Sequence, residues 1–292
     1  MANNIFGNRP NVIVAKQTIS FADAGFTTSN LYIVYKVDNP MLSYDPSRGI
    51  NGISGFEFGK GYYLIPKIDM DISAFGVPPF DGYIEPEDGT TGNTVYYNGD
   101  SITVGVGASD NAHRWTTLLS TAKGWTEVNN GLSGYVITPN ECRSTWNYTT
   151  GGQAIPTKTA EMRFLFISFG VNDAFVNPEI TPAAYQAEIE AAIDVAIARG
   201  WDPMRCIINS PFFTTFDGNS VNYCDPILSD EARKQLFVSA AQAAALAKGA
   251  FFIDVFNHMK NNGGASLTTD AIHPNDAGMA VIADYIDSIL PD

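Results

Sequence analysis

Ser101, in Asn98-Gly99-Asp100-Ser101, and His273, in Asp270-Ala271-Ile272-His273-Pro274, are the side chains whose types and settings best suit nucleophilic chemistry. A serine hydroxyl is a weak nucleophile at neutral pH and needs an adjacent base. The chain has three histidines to supply one: His113, His258 and His273. His273 precedes Pro274, and proline is favoured at the first position of a helix. The imidazole is therefore expected on the loop entering the last helix. Asp270, three residues earlier, can bond the other ring nitrogen, hold the tautomer and stabilise the imidazolium. These are the parts of acyl transfer. His113 is expected on a helix face, and His258 in a loop after the fifth strand.

Two segments lie between those residues in sequence: Leu132-Ser133-Gly134 and Gly170-Val171-Asn172-Asp173. Acyl transfer passes through an oxyanion that needs preorganised donors. Asn172 follows the apolar run Phe164-Leu165-Phe166-Ile167-Ser168-Phe169, so its amide is expected where a strand ends. Other chemistries are less well supplied. Asp100 and Asp270 could be read as the paired carboxylates of a glycosidase, but nothing else in the chain supports that. Three scattered histidines without HExxH or CxxC spacing suggest no metal site.

Taken in order, the four segments resemble the SGNH (GDSL) hydrolases, over roughly residues 94–292. The resemblance implies a serine esterase working through an acyl-enzyme without a cofactor. It implies Ser101 as nucleophile, His273 as base and Asp270 as its orienting acid. It also implies three oxyanion donors: the Ser101 amide, the Gly134 amide and the Asn172 side chain. Gly131 is the alternative to Gly134. Asp100 and Asp173 are expected to support the site from behind it. Two positions depart from the family pattern. The strand before Ser101 ends Tyr96-Tyr97-Asn98, which is less apolar than usual and puts its burial in question. Tyr135 stands where a small or acidic residue is common, and could line the substrate site. Within the family's range, an O-acetylated carbohydrate is the favoured substrate. No long apolar stretch suggests a lipid-binding lid, and 13 tyrosines and 4 tryptophans could stack on sugar rings. Lipid or short-chain acyl esters are the alternative.

The elements that must position these residues alternate between strand and helix. Strands are predicted at 94–98, 126–129, 163–169, 205–210 and 251–255. Helices are predicted at 111–122, 181–199, 229–248 and 274–290. The helix at 181–199 opens Thr181-Pro182 and closes at Gly200, as start and stop signals should. Five strands alternating with helices imply an α/β fold: a three-layer αβα, flavodoxin-like arrangement around a mainly parallel five-stranded sheet. Active sites in such folds lie at the carboxyl ends of the strands.

Residues 1–76 read differently. Runs such as 11–15, 30–35 and 61–66 alternate with Gly, Asn and Asp, the signature of a small β-rich module. Residues 77–93, rich in Pro, Gly and acids, read as a linker to a hydrolase domain at 94–292. The module is expected either to dock the protein on a surface, a polysaccharide or a virion, or to pack as a structural extension. A second class of function, attachment with an accessory esterase domain, follows from the first option.

The bulk composition bounds the partners. The chain has 292 residues, 45% apolar and 16% charged, with a net charge of −14. That balance suits a globular protein with a sizeable core. It argues against nucleic acid and against anionic membrane surfaces. The first ten residues lack the basic start and apolar run of a secretory signal. No stretch approaches eighteen apolar residues, so a soluble chain is expected. Extracellular, virion-associated and cytoplasmic locations all stay open. Cys142, Cys206 and Cys224 are too few for a disulfide framework. Cys206, in an apolar run, reads as a buried thiol, with a Cys206–Cys224 bridge as the alternative.

Overall fold

A computed structural model describes residues 88–176, 180–215 and 231–291, together with Pro86 and nine strands between Asn4 and Asp71. The chain divides into two compact units, Met1–Tyr83 and Ile84–Asp292. Cys224, residues 77–85 of the expected linker and the expected start of a helix at Ser229 lie outside the described residues.

The first unit is built from antiparallel strands. Five of them, Asn11–Val14, Gly61–Pro66, Leu31–Lys36, Asn39–Asp45 and Ile50–Asn51, pair in that spatial order. Two short pairs, Asn4–Ile5 with Met70–Asp71 and Ile19–Ser20 with Gly55–Phe56, are antiparallel as well.

The second unit is a three-layer α/β fold. Its sheet holds β1 (Thr94–Gly99), β2 (Thr126–Gly131), β3 (Met162–Ser168), β4 (Cys206–Asn209) and β5 (Phe251–Ile253). All neighbours are parallel, in the order β2-β1-β3-β4-β5. The chain leaves β1 for β2 on one side and then crosses to β3 on the other. That reversal opens a crevice at the carboxyl ends of β1 and β3, where ligands bind in doubly wound sheets.

Among the described residues, seven α-helices surround the sheet: α1 (Ser101–Val104), α2 (Trp115–Lys123), α3 (Val171–Val176), α4 (Pro182–Ala198), α5 (Glu231–Lys248), α6 (Val255–Asn261) and α7 (Asp276–Ile289). Helices α4 and α5 pack together on one face of the sheet, and α2 packs with α7. Strand side chains alternate between faces, and β3 supplies both. Leu165, Ile167 and Phe169 join Tyr185, Ile189, Ala192 and Ile193 of α4 and Phe237, Ala241 and Ala244 of α5. Phe164 and Phe166 point the other way. Phe166 stacks on Tyr97 at 4.9 Å, and Trp115 at the head of α2 meets both rings. A strand buried on both faces must read as an unbroken apolar run, and β3 does.

Several expectations change. The strand β1 is buried despite its polar end, because its polar groups have partners. The Tyr97 hydroxyl bonds Ser120 Oγ at 2.8 Å, and the Asn98 amide donates to the Phe166 carbonyl at 3.2 Å. The expected helix 111–122 is broken. A short 3-10 turn, Asn111–His113, is capped by the Asp110 side chain, and extended backbone at Arg114 restarts the chain as α2. The fifth strand stops at Ile253 because the Asp254 carboxylate caps α6 by accepting from Asn257 N. His258 is therefore helical rather than in a loop, and its ring stacks on Tyr285 at 3.8 Å. The last helix starts at Asp276, not Pro274, because Asn275 is its cap and accepts from Gly278 N at 3.0 Å. Cys206 is a buried free thiol.

The described end of the expected linker is bound to the second unit. Thr91 and Gly92 donate to the Ala160 carbonyl, both at 2.9 Å. Asp88 pairs with Arg205, whose side chain is 1% exposed.

Candidate active site

Ser101 is the first residue of α1, directly after β1. Its amide, like any at a helix start, has no partner within the helix. Asp100 caps the helix by accepting from Ile102 N at 3.0 Å. This strand–cap–helix turn sets the Ser101 hydroxyl at the carboxyl edge of the sheet.

His273 reaches that hydroxyl from the far end of the sequence, with Nε2 2.9 Å from Ser101 Oγ. Its Nδ1 lies 2.7 Å from Asp270 Oδ2. A carboxylate only accepts, so Nδ1 carries the proton and Nε2 is left as the acceptor for the serine O–H. The Asp270 carboxylate also takes the backbone amides of His273 at 2.7 Å and Ile272 at 3.1 Å. Burial raises its pKa, but these donors together bring it below the ordinary carboxylate value. Asp270 thus stays ionised while holding its own turn and the imidazole. Proline at a helix start does not fix His273. Its carbonyl accepts from Thr269 N, and Asn275 N bonds the Leu267 carbonyl, closing a small antiparallel bridge.

Asn172 stands in the first turn of α3, just after β3, the neighbour of β1 in the sheet. Its Nδ2 donates to the Tyr135 carbonyl at 2.8 Å. An amide nitrogen has two hydrogens, so one ties down the loop after β2 and the second remains for a ligand. Gly134 lies in that loop with φ of +81°, and its carbonyl makes a long contact with Arg143 Nη1 at 3.5 Å. Gly131, the alternative, ends β2 beside Gly99, and a Cβ there would come within 2.5 Å of Val104 N. Its small size serves the packing of α1 on the sheet.

Asp100 and Asp173 are both buried. Asp173 accepts from Thr138 N at 2.9 Å and Ile137 N at 3.3 Å, anchoring the loop that follows Tyr135. Burial pushes Asp100 up to about 7, against the bond from Ile102, and Asp173 up to about 6, against its bonds from Thr138 and Ile137. Tyr135 is half-buried and packs on the core. His113 is held apart from the Ser101 and His273 pair. It is exposed, with Nδ1 2.8 Å from Asp110 and 3.2 Å from Ser109 Oγ. Among the described residues, no three His, Cys, Asp or Glu side chains gather as a metal site.

Sequence reasoning missed the clamp on the histidine loop. Ser109 N donates to the Asp276 carboxylate at 2.7 Å. A Cβ on Gly107 would come within 2.8 Å of His273 Cβ. The Gly-rich run Gly105-Val106-Gly107 was the available signal: glycines mark where backbone passes close to another element.

Residues 98–281 match the GDSL-like lipase/acylhydrolase family. No curated protein matches the chain. Among solved structures, a carbohydrate acetylesterase family member from Sinorhizobium meliloti is 16% identical, covering 67% of this chain and 96% of its own, with a TM-score of 0.50. A carbohydrate esterase family 2 enzyme plus carbohydrate-binding domain from Corynascus (Myceliophthora fergusii) is 17% identical, covering 98% of this chain and 94% of its own, with a TM-score of 0.51. At these identities the likeness is one of fold. The family match spans more than half of the sequence, and the chain belongs to the GDSL-like lipase/acylhydrolase family.

Proposed function

We propose that this protein removes O-acetyl groups from carbohydrate through an acyl-enzyme on Ser101. The reading rests on one observation above all, the unbroken hydrogen-bonded chain from Ser101 Oγ through His273 to Asp270. Ser101 Oγ attacks the ester carbonyl while His273 Nε2 takes its proton. The imidazolium is stabilised by the Asp270 carboxylate. The carbonyl oxygen becomes an oxyanion, received by the amides of Ser101 and Gly134 and the free hydrogen of Asn172 Nδ2. His273 returns the proton to the departing alcohol. Water then loses a proton to His273, attacks the acetyl-serine and releases acetate. Asp100 and Asp173 act by positioning: one caps the helix that bears Ser101, the other pins the loop that bears Gly134.

The carbohydrate assignment is supported by the fold neighbours described as carbohydrate acetylesterases. We read residues 94–292 as the hydrolase domain, joined by a linker at 77–93 to a docking or structural module at 1–76. Ser101→Ala should cut hydrolysis by roughly 10⁴-fold or more while leaving the melting temperature unchanged. More than a few per cent of residual turnover would overturn the assignment. Acetate release from acetylated sugars, set against p-nitrophenyl acetate and octanoate, tests the substrate. Turnover of octanoate alone would make it a lipid-type acyl ester instead.

A further inference from the structure

We propose that a cleft between the 132–161 loop and α4 binds a sugar ring, as a second carbohydrate subsite beside the ester-cleaving one. As a substrate subsite it rests on the carbohydrate reading above; as a binding site it stands alone. The cleft has a volume of about 370 Å³, at the lower end of the range for small-molecule sites. It is lined by Pro139, Thr145, Trp146, Tyr148 and Glu188, among others.

The loop that forms it runs thirty residues, from the end of β2 to the start of β3, without a helix or strand of its own. Loops that long in a compact domain usually carry a function. This one is well fixed. Asn172 holds it at Tyr135, Asp173 at Ile137 and Thr138, and Arg199 at Thr149 and Ile155. Trp146 is buried, stacks on Phe169 at 5.0 Å and donates from Nε1 to the Gln153 carbonyl. The cleft is therefore preformed, and Pro139 places its rim five residues along the chain from Gly134.

The lining selects the ligand. Tyr148 is half-buried, and its hydroxyl donates to Glu188 Oε2 at 2.8 Å. Burial, followed by the Glu188 carboxylate, pushes that phenol up to about 12, so it remains an O–H donor at neutral pH. Glu188 Oε1 has no partner among the described residues, and carboxylate oxygens make strong bonds with hydroxyl donors. The lining contains a carboxylate and no cationic side chain, which disfavours phosphates and carboxylates. A ligand with an apolar face for the tyrosine ring and a rim of hydroxyls for Glu188 and Thr145 fits both features. A pyranose has that shape.

The test uses the full chain as Ser101→Ala, so that binding is read without turnover. The variant is titrated with cellotetraose, xylotetraose and chitotetraose and followed by amide chemical shifts. At least one sugar should shift the amides of 145–149 and 188. Adding Tyr148→Ala, or the milder Glu188→Gln, should weaken its Kd tenfold or more. No binding by any of the three overturns the proposal, as do shifts confined to other residues or an undiminished Kd in both variants. The esterase reading fails separately, through absence of ester turnover in the chain with Ser101 intact.

Discussion

Asp100 is a buried carboxylate one residue from the hydroxyl of Ser101, and it carries a cost that depends on pH. Its Oδ1 caps α1, while Oδ2 is buried without a partner among the described residues. Burial, aided by the charge of Asp173, lifts it to about 7, against about 3.9 in an unfolded chain. The folded state therefore holds a proton that the unfolded state has already released. Stability from this group is fully present below pH 4 and is lost as pH rises through about 7. Asp173, lifted to about 6, works in the same direction. Asp100→Asn keeps an oxygen for Ile102 N and removes the ionisation, though its amide gains no acceptor at the Oδ2 position. It should raise the melting temperature by roughly 3–8 °C at pH 8 and change it little at pH 4.5. Thermal melts across that range decide the matter. A difference that does not vary with pH would mean that Asp100 is not the titrating group.

At the scale of elements, two glycines three residues apart have different jobs. Gly131 lets α1 lie on the end of β2, and added bulk there meets backbone at Val104 N. Gly131→Ala should destabilise the fold by about 1–3 kcal/mol, because the nearest atom cannot swing away. Gly134 faces the flexible end of Arg143 at 3.1 Å and sits in a left-handed turn. Gly134→Ala keeps the backbone N–H but puts a Cβ on a left-handed residue, so the turn must shift and carry that N–H off its aim. It should melt within a few degrees of the parent and lose about 10-fold in kcat with KM little changed, and an unaltered kcat would mean that this turn's backbone does not set the position of an oxyanion donor. Elements with an unbroken apolar run, or with start and stop signals at both ends, were legible in the sequence. The apolar run of β3 and the Thr181-Pro182 to Gly200 frame of α4 read directly. The break at Arg114, the helix after Asp254 and the start of α7 after its cap Asn275 did not. Asp110, Asp254 and Asn275 are turn residues and caps alike, and only the fold decides which. Three of the four segments expected to form the site, at Ser101, Gly134 and Asn172, follow strand ends, which made them legible as a group, while the Asp270–Pro274 segment follows a 3-10 turn and read through its residue types alone. The 132–161 loop was not legible, because its order comes from Asn172, Asp173 and Arg199, distant in sequence and without periodicity.

At the scale of the whole molecule, the net charge of −14 acts on which esters arrive. A field of one sign repels like-charged ligands, and its reach is about 10 Å at 0.1 M salt. The groups hydrogen-bonded around Ser101 and the histidine loop are His273, Asp270 and Asp276. His273 is charged only when protonated, and both Asp270 and Asp276 stay ionised, their carboxyls held below the usual range. For Asp276 the main cause is the backbone bond from Ser109. An anionic ester, such as an acetylated uronate, should therefore show a lower kcat/KM than a neutral acetylated sugar at low salt. Raising sodium chloride from 10 mM to 300 mM should increase the anionic rate several-fold by screening, and leave the neutral one nearly flat. Steady-state rates on the two esters across that series are the measurement. If the anionic ester is instead slowed by salt, a local cation attracts it, and Arg143 beside Gly134 becomes the first residue to replace.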